Sequence, residues 1–428
     1  MPMTPRATRA LPPLVPLAVI VGISPFATDM YIPALPAIAR ELHTTTGLVQ
    51  LSLTAFLVAF AVGQLLAGPV SDGIGRRPIV LGGTAVFVLA SVACALAPDV
   101  GTLLVARVFE GLSGAAAAVA ARAMVSDVTS GVIMSRIFGS LAAINAVGPV
   151  VAPLAGGALL TIGTWRLMFV VLALLGAALF VISLVRFRET LPHEDRGEVG
   201  LRANAARMGT LLRIPRFRWY LVSGVLATVG FFAYIATSSF VFQDEYGFSE
   251  GLYTLVFATN ATMMIIVTLL FRHLVGRVDE NTMLTLGLVA GAVGSAGVLV
   301  SAVTGLGPIA VWCCLAVVTS AWGFVLPAAT TRSQAIGSAL PGTAAALQGG
   351  LSFGIGGLGT PLAGWFGGTA AAMGGVMVTL IVAAVVVQLA ATRAESRRGA
   401  VPAHASAPAA APGPAPAAGG GRRVGDNG

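Results

Sequence analysis

The chain has 428 residues, of which 56% are hydrophobic and only 10% charged, and its mean hydropathy is +0.90. That balance excludes a water-soluble globular protein and places the chain among polytopic membrane proteins. The net charge of +8 does not indicate nucleic acid, because the charges sit in short blocks between long apolar runs, and all 25 basic residues are arginine. Without lysine there is neither a P-loop lysine nor a lysine Schiff base, so ATP-driven work by this chain alone is excluded and no enzymatic activity is expected. Cys94, Cys313 and Cys314 lie inside apolar runs and the four histidines are scattered, so neither a metal nor a cofactor is expected.

Runs long enough to cross ~30 Å of hydrocarbon, about 20 residues each, occur twelve times. They fall near 13–36, 48–70, 79–97, 101–124, 134–161, 166–186, 219–241, 251–272, 283–304, 308–331, 343–366 and 370–392. The first is preceded by Arg6 and Arg9 but lacks a convincing small-residue cleavage site, so it reads as a retained helix. Most arginines fall on one side of this map, while Arg40 and Arg166 accompany Asp99, Asp244, Glu245 and Glu250 on the other. By the positive-inside rule both termini are expected in the cytoplasm.

This divides the chain into a cytoplasmic stretch 1–12, a six-helix bundle 13–186, a charged linker 187–218, a second bundle 219–392 and a tail 393–428. The later part of the linker is expected to form an amphipathic helix on the anionic inner leaflet. The tail is rich in Ala, Pro and Gly, too poor in large apolar groups to offset ordering, and is expected to be disordered. Pro153-Leu154-Ala155-Gly156 returns as Pro361-Leu362-Ala363-Gly364, and the same shift carries Gly68 to Gly276 and Asp72 to Glu280, which favours parallel repeats.

Ionisable groups at membrane depth cost ~2.5 to 3.5 kcal/mol each on insertion scales, so they are functional candidates by default. Asp29, Arg107 and Glu110 lie well inside the spans. Their distances from the helix ends, ~12, ~9 and ~13 Å at 1.5 Å per residue, allow one shared depth. A carboxylate pulled one way by desolvation and the other by a guanidinium can be tuned to exchange protons. The bland alternative is a fixed ion pair between helices 1 and 4.

Three further groups stand out. Gly68, Asp72, Gly75, Arg76 and Arg77 form a polar turn between helices 2 and 3, which cannot lie in hydrocarbon and could hold the two bundles together. In helix 5, Pro149 and Pro153 share one face, while Gly148, Ala152 and Gly156 form a small-residue stripe beside them, with Gly157 following. In the second half, Phe231 and Tyr234 on helix 7 and Asn260 on helix 8, together with Tyr31 on helix 1, are candidates for lining a cavity between bundles.

These motifs carry a resemblance. GPVSDGIGRRP, Gly68 to Pro78, resembles the signature loop of the major facilitator superfamily, except that Gly73 stands where that family usually has arginine. GPVVAPLAGG, Gly148 to Gly157, resembles its antiporter motif. TDMYIPALP and ARVFEGLSGAAAA resemble the first- and fourth-helix motifs of drug:proton antiporters of the Bcr/CflA branch, associated with bicyclomycin and chloramphenicol resistance.

The resemblance implies an all-α, twelve-helix fold of two six-helix bundles, rocking to give alternating access. It also implies a proton-driven exporter of small organic drugs, working as a monomer without cofactor or nucleic acid. Asp29 would be the helix-1 acid and Arg107 the helix-4 arginine of proton coupling, and Glu110 stands where glutamine is common. Two other readings stay open: an uptake symporter of the same fold, and a receptor or scaffold that does not transport.

Overall fold

The structure is a computed structural model describing residues 13–196, 200–338 and 340–399. The stretch 1–12 with Arg6 and Arg9, linker residues 197–199 and the tail from 400 onward lie outside the described residues. The helices are numbered α1 Leu14–Glu41, α2 Thr46–Ile74, α3 Arg76–Ala95, α4 Val100–Val128, α5 Gly131–Ile162, α6 Arg166–Arg186, α7 Pro215–Glu245, α8 Glu250–Leu274, α9 Glu280–Val303 and α10 Pro308–Ile336. Next comes α11, running over Pro341–Gly356 and, after a tight turn at Gly357–Gly359, Leu362–Trp365, and then α12 Ala370–Gly399. Among the described residues ten of these are long and apolar enough to cross a membrane, while α5 contributes the shorter apolar stretches Gly131–Leu141 and Val147–Ile162 and α11 is interrupted at Gly357–Gly359. In hydrocarbon a helix satisfies its backbone within itself, which is why the apolar runs take this form.

Several ends differ from the sequence expectation. α1 continues past residue 36 because Pro33 and Pro36 occupy the opening positions of new segments, Ile32–Ala34 and Leu35–Glu41, where a missing N–H costs nothing. The polar turn after α2 shrinks to Gly75 alone: Asp72 belongs to the last turn of α2, and Arg76 and Arg77 to the first turn of α3. The linker does contain a helix, Leu201–Leu212. Its apolar residues Met208, Leu211 and Leu212 pack on Phe217, Leu221 and Leu347 of the second half, so that side covers protein and not the leaflet, while Arg202 and Arg207 are exposed.

The two halves repeat one packing scheme. In the first, α4 packs on α2 and α3, α3 on α6, and α1 on α5; in the second, α10 packs on α8 and α9, α9 on α12, and α7 on α11. The halves meet along two seams, α2 with α11 and α5 with α8. Glycines set the closest approaches. A Cβ on Gly111 of α4 would collide with the Phe56 carbonyl of α2, and one on Gly323 of α10 would come within 2.7 Å of the Met264 carbonyl of α8. Likewise Gly156 of α5 abuts the Met30 carbonyl of α1, and Gly359 of α11 abuts the Val229 carbonyl of α7. Equivalent helix pairs therefore touch backbone to backbone in both halves, the form of association that lipid leaves available.

The α5 motif has two sides. Gly148 and Gly156 face α1, where a Cβ would meet Pro25 at 2.6 Å or the Met30 carbonyl, and Gly157 faces Thr254 of α8 in the other half. The motif thus wedges α5 between its own bundle and the partner bundle. Gly156→Leu should lower the melting temperature in detergent, since overpacking costs ~1 to 3 kcal/mol or more. Gly82→Ala on α3, where nothing lies within 4 Å of the added methyl, should leave the melting temperature unchanged or raised.

Candidate functional site

Helix 4 carries Arg107 and Glu110 one turn apart, and their side chains pair at 2.6 Å with neither exposed. Four neighbouring helices hold the pair in place. Ser91 of α3 donates to Glu110 Oε1 at 2.8 Å, and Arg107 Nε donates to the Ser52 carbonyl of α2 at 3.4 Å. The guanidinium lies 4.4 Å from the Phe56 ring centre, 4.6 Å from that of Tyr31 and 5.7 Å from that of Phe169. Ring stacking and the ion pair offset part of the cost of burying the guanidinium, while Arg107 Nη2 is buried without a hydrogen-bond partner.

This alters two expectations. Arg107 pairs with Glu110 on its own helix, so no ion pair joins helices 1 and 4, and Asp29 makes no ion pair among the described residues. Tyr31 does not line a space between bundles: its ring sits against Arg107, and its hydroxyl lies 3.1 Å from Ser52 Oγ inside the first half. α1 is interrupted after Asp29, between Ile23–Asp29 and Ile32–Ala34. Two residues apart across that break, Asp29 and Tyr31 face different ways.

Asp29 is half-buried and lies within electrostatic range of Tyr234 on α7 and Tyr253 on α8, both in the other half. The second-half candidates do come together. Asn260 Nδ2 donates to the Tyr234 hydroxyl at 3.3 Å, and Phe231 lies 5.7 Å from Tyr234 between ring centres. Two aromatic partners were not singled out from sequence: Trp322 of α10 stacks on Phe231 at 4.3 Å with 3° between the planes, and Phe257 stacks on Tyr234. Asn260 Oδ1 is buried without a hydrogen-bond partner. The second half thus brings together tyrosines, an amide and an aromatic stack, and Asp29 of the first half lies within electrostatic range of the two tyrosines.

The motif between α2 and α3 works inside one half. Arg76 pairs with Asp72 at 2.6 Å and with Asp127 at the end of α4 at 3.2 Å. The Glu189 carboxylate, just after α6, accepts the backbone N–H groups of Arg76 and Arg77 at 2.9 and 3.2 Å and so caps α3. Arg77 donates to the Phe187 and Leu184 carbonyls. Gly75 has φ +114, and a Cβ there would meet Glu189 at 2.5 Å, so both backbone and space call for glycine. The expectation that Asp72 and the arginines join the two bundles is not met in this conformation: they tie α2, α3, α4 and the α6 end together. Gly68 stands in open space. Asp127 and Glu189 were missed in the sequence because each reads as an ordinary loop charge.

Among the described residues, the hydrogen bonds crossing between halves gather at the opposite end. Arg40 pairs with Asp244 at 2.9 Å, Gln243 donates to the Pro33 carbonyl, and Gln50 and Thr54 of α2 reach α7 and α11. The structure is closed at the Arg40 end.

Two matched helical bundles, in contact along two seams around a centre with a lone acid, define a membrane transporter. The chain belongs to the major facilitator superfamily, whose family model matches residues 17–361. It is 35% identical over 364 residues, 84% of this chain and 90% of the other, to the MFS-type transporter YdgK of Bacillus subtilis. It is 29% identical over 350 residues, 79% of this chain and 85% of the other, to a bicyclomycin resistance protein homolog of Haemophilus influenzae. In fold it matches the crystal structure of the peptide transporter POT with a TM-score of 0.73 at 15% identity, covering 92% of this chain and 96% of that one.

The buried pair makes a stability prediction. Glu110→Ala strands a guanidinium and should cost ~3 to 5 kcal/mol. Arg107→Leu combined with Glu110→Leu should recover most of that loss. Thermal unfolding of the purified single and double variants measures the coupling; additive losses would contradict it.

Proposed function

We propose that this transporter is a proton-driven exporter of small organic drugs in a bacterial cytoplasmic membrane, with both termini in the cytoplasm and the monomer as the working unit. The observation that carries the reading is Asp29: a carboxylate at membrane depth with no ion pair among the described residues, within electrostatic range of Tyr234 and Tyr253 of the opposite half. The name of the Haemophilus influenzae relative supports a drug as cargo. The arginine distribution supports the topology, with the closed Arg40 end facing outward.

In this reading Asp29 alternates between proton and substrate. An ionised carboxylate favours substrate in the centre, and protonation weakens that hold, so the two occupancies oppose each other and flux is coupled. Arg107, held by Glu110, keeps the wall of the first half in shape and does not itself exchange with Asp29. No cofactor is required, since the proton gradient supplies the energy.

The test is reconstitution of the wild type, Asp29→Asn and Glu110→Gln under an imposed pH gradient, following a drug and protons together. Asp29→Asn should insert normally and lose uphill export, leaving at most downhill leak. Glu110→Gln, where folded, should retain coupled export. Coupled export by Asp29→Asn would reject the assignment, and inward accumulation by the wild type would favour an uptake symporter.

A further inference from the structure

Helix 2 carries Gln50 and Thr54 one turn apart on the face turned to the other half, and both are buried. Gln50 Nε2 donates to the Ala236 carbonyl at 3.1 Å and to Thr237 Oγ1 at 3.2 Å on α7. Thr54 Oγ1 lies 2.8 Å from the Gly357 carbonyl and 2.5 Å from Thr360 Oγ1, at the broken part of α11. Thr360 Oγ1 in turn lies 3.1 Å from the Gln50 carbonyl. Three helices from two halves are thereby knotted through side chains that water does not reach.

The same seam changes character along its length. Beyond Thr54, the face of α2 continues as Leu57, Ala61 and Leu65, which meet Gly357, Gly354 and Gly350 of α11. Those contacts are apolar and tolerate sliding. The polar cluster is directional, so its cross-seam bonds are made in one register, with the Arg40 end closed, although Gln50 Oε1 is buried without a hydrogen-bond partner. At the break of α11 the Gly357 carbonyl, which also accepts the Thr360 N–H at 3.2 Å, is presented to Thr54, and Gly364 leaves room for the Gln50 amide.

We infer that Gln50, Thr54 and Thr360 form an interlock that holds the Arg40 end closed and that must part for that end to open. The side chains are positioning residues: they set the balance between the two conformations through the register of α2 on α7 and α11, and they need not touch cargo. The inference rests on the cross-seam bonds alone, so it stands or falls apart from proton coupling, drug identity or direction of transport.

Spin labels on the exposed residues Leu96, after α3, and Leu306, after α9, report the separation of the halves at the Arg40 end. They are introduced as Leu96→Cys and Leu306→Cys in the full chain, with Cys94, Cys313 and Cys314 replaced by alanine. Removing both hydroxyls with Thr54→Val and Thr360→Val keeps side-chain shape and should raise the long-distance population about threefold to tenfold, the weight of roughly one net hydrogen bond. Thr54→Ser with Thr360→Ser keeps the hydroxyls and should restore the distribution of the parent. Should the double valine variant fail to insert, Thr54→Val alone carries the comparison, with a smaller shift of the same sign. An unchanged distribution in a folded valine variant would overturn the inference, as would an equal shift in the serine variant.

Discussion

Helices in hydrocarbon gain little from burying apolar surface against one another, because lipid is as apolar as the neighbouring helix. What holds this structure together is close backbone approach. Gly111 against Phe56, Gly156 against Met30, Gly323 against Met264 and Gly359 against Val229 put α4 on α2, α5 on α1, α10 on α8 and α11 on α7. The four contacts form two equivalent sets, one per half. Everything else in the molecule hangs from that pairing: the seams, the position of the break in α1, and the distance across which polar groups reach.

Charge is distributed with equal economy. The first half buries a guanidinium and a carboxylate together, with aromatic rings about the cation and a serine on the acid. Such a pair is costly to break and weakly stabilising to make, so its contribution is shape: it fixes α4 against α1, α2, α3 and α6. Asp29 receives no such partner among the described residues, and it lies within electrostatic range of Tyr234 in the other half. The spans of the first half therefore hold one carboxylate in an ion pair and one without an ion pair among the described residues.

The two ends of the molecule are bonded differently. At the Arg76 end, Asp72, Asp127 and Glu189 gather the arginines within the first half, and α3 begins on a borrowed carboxylate. At the Arg40 end the bonds cross between halves. Since each ion pair at the rim is partly exposed and therefore weak, closure at the Arg40 end rests on the buried amide and hydroxyls beneath it.

The sequence alone determined the class, the number of spans and the residues able to carry chemistry at membrane depth, because hydrocarbon thickness and the cost of buried charge act on the chain one segment at a time. It also made Arg107 and Glu110 neighbours, since one helical turn separates them. It did not determine that they would pair to the exclusion of Asp29. Depth follows from residue count, but facing depends on how a helix is rotated against its neighbours, and in α1 that rotation sets the Tyr31 ring against Arg107 in the first bundle. Asp127, Glu189, Trp322 and Gln50 were illegible for the same reason. Each gains its role from a partner far along the chain, such as Thr360, 310 residues from Gln50, and only the packed helices bring those partners within reach.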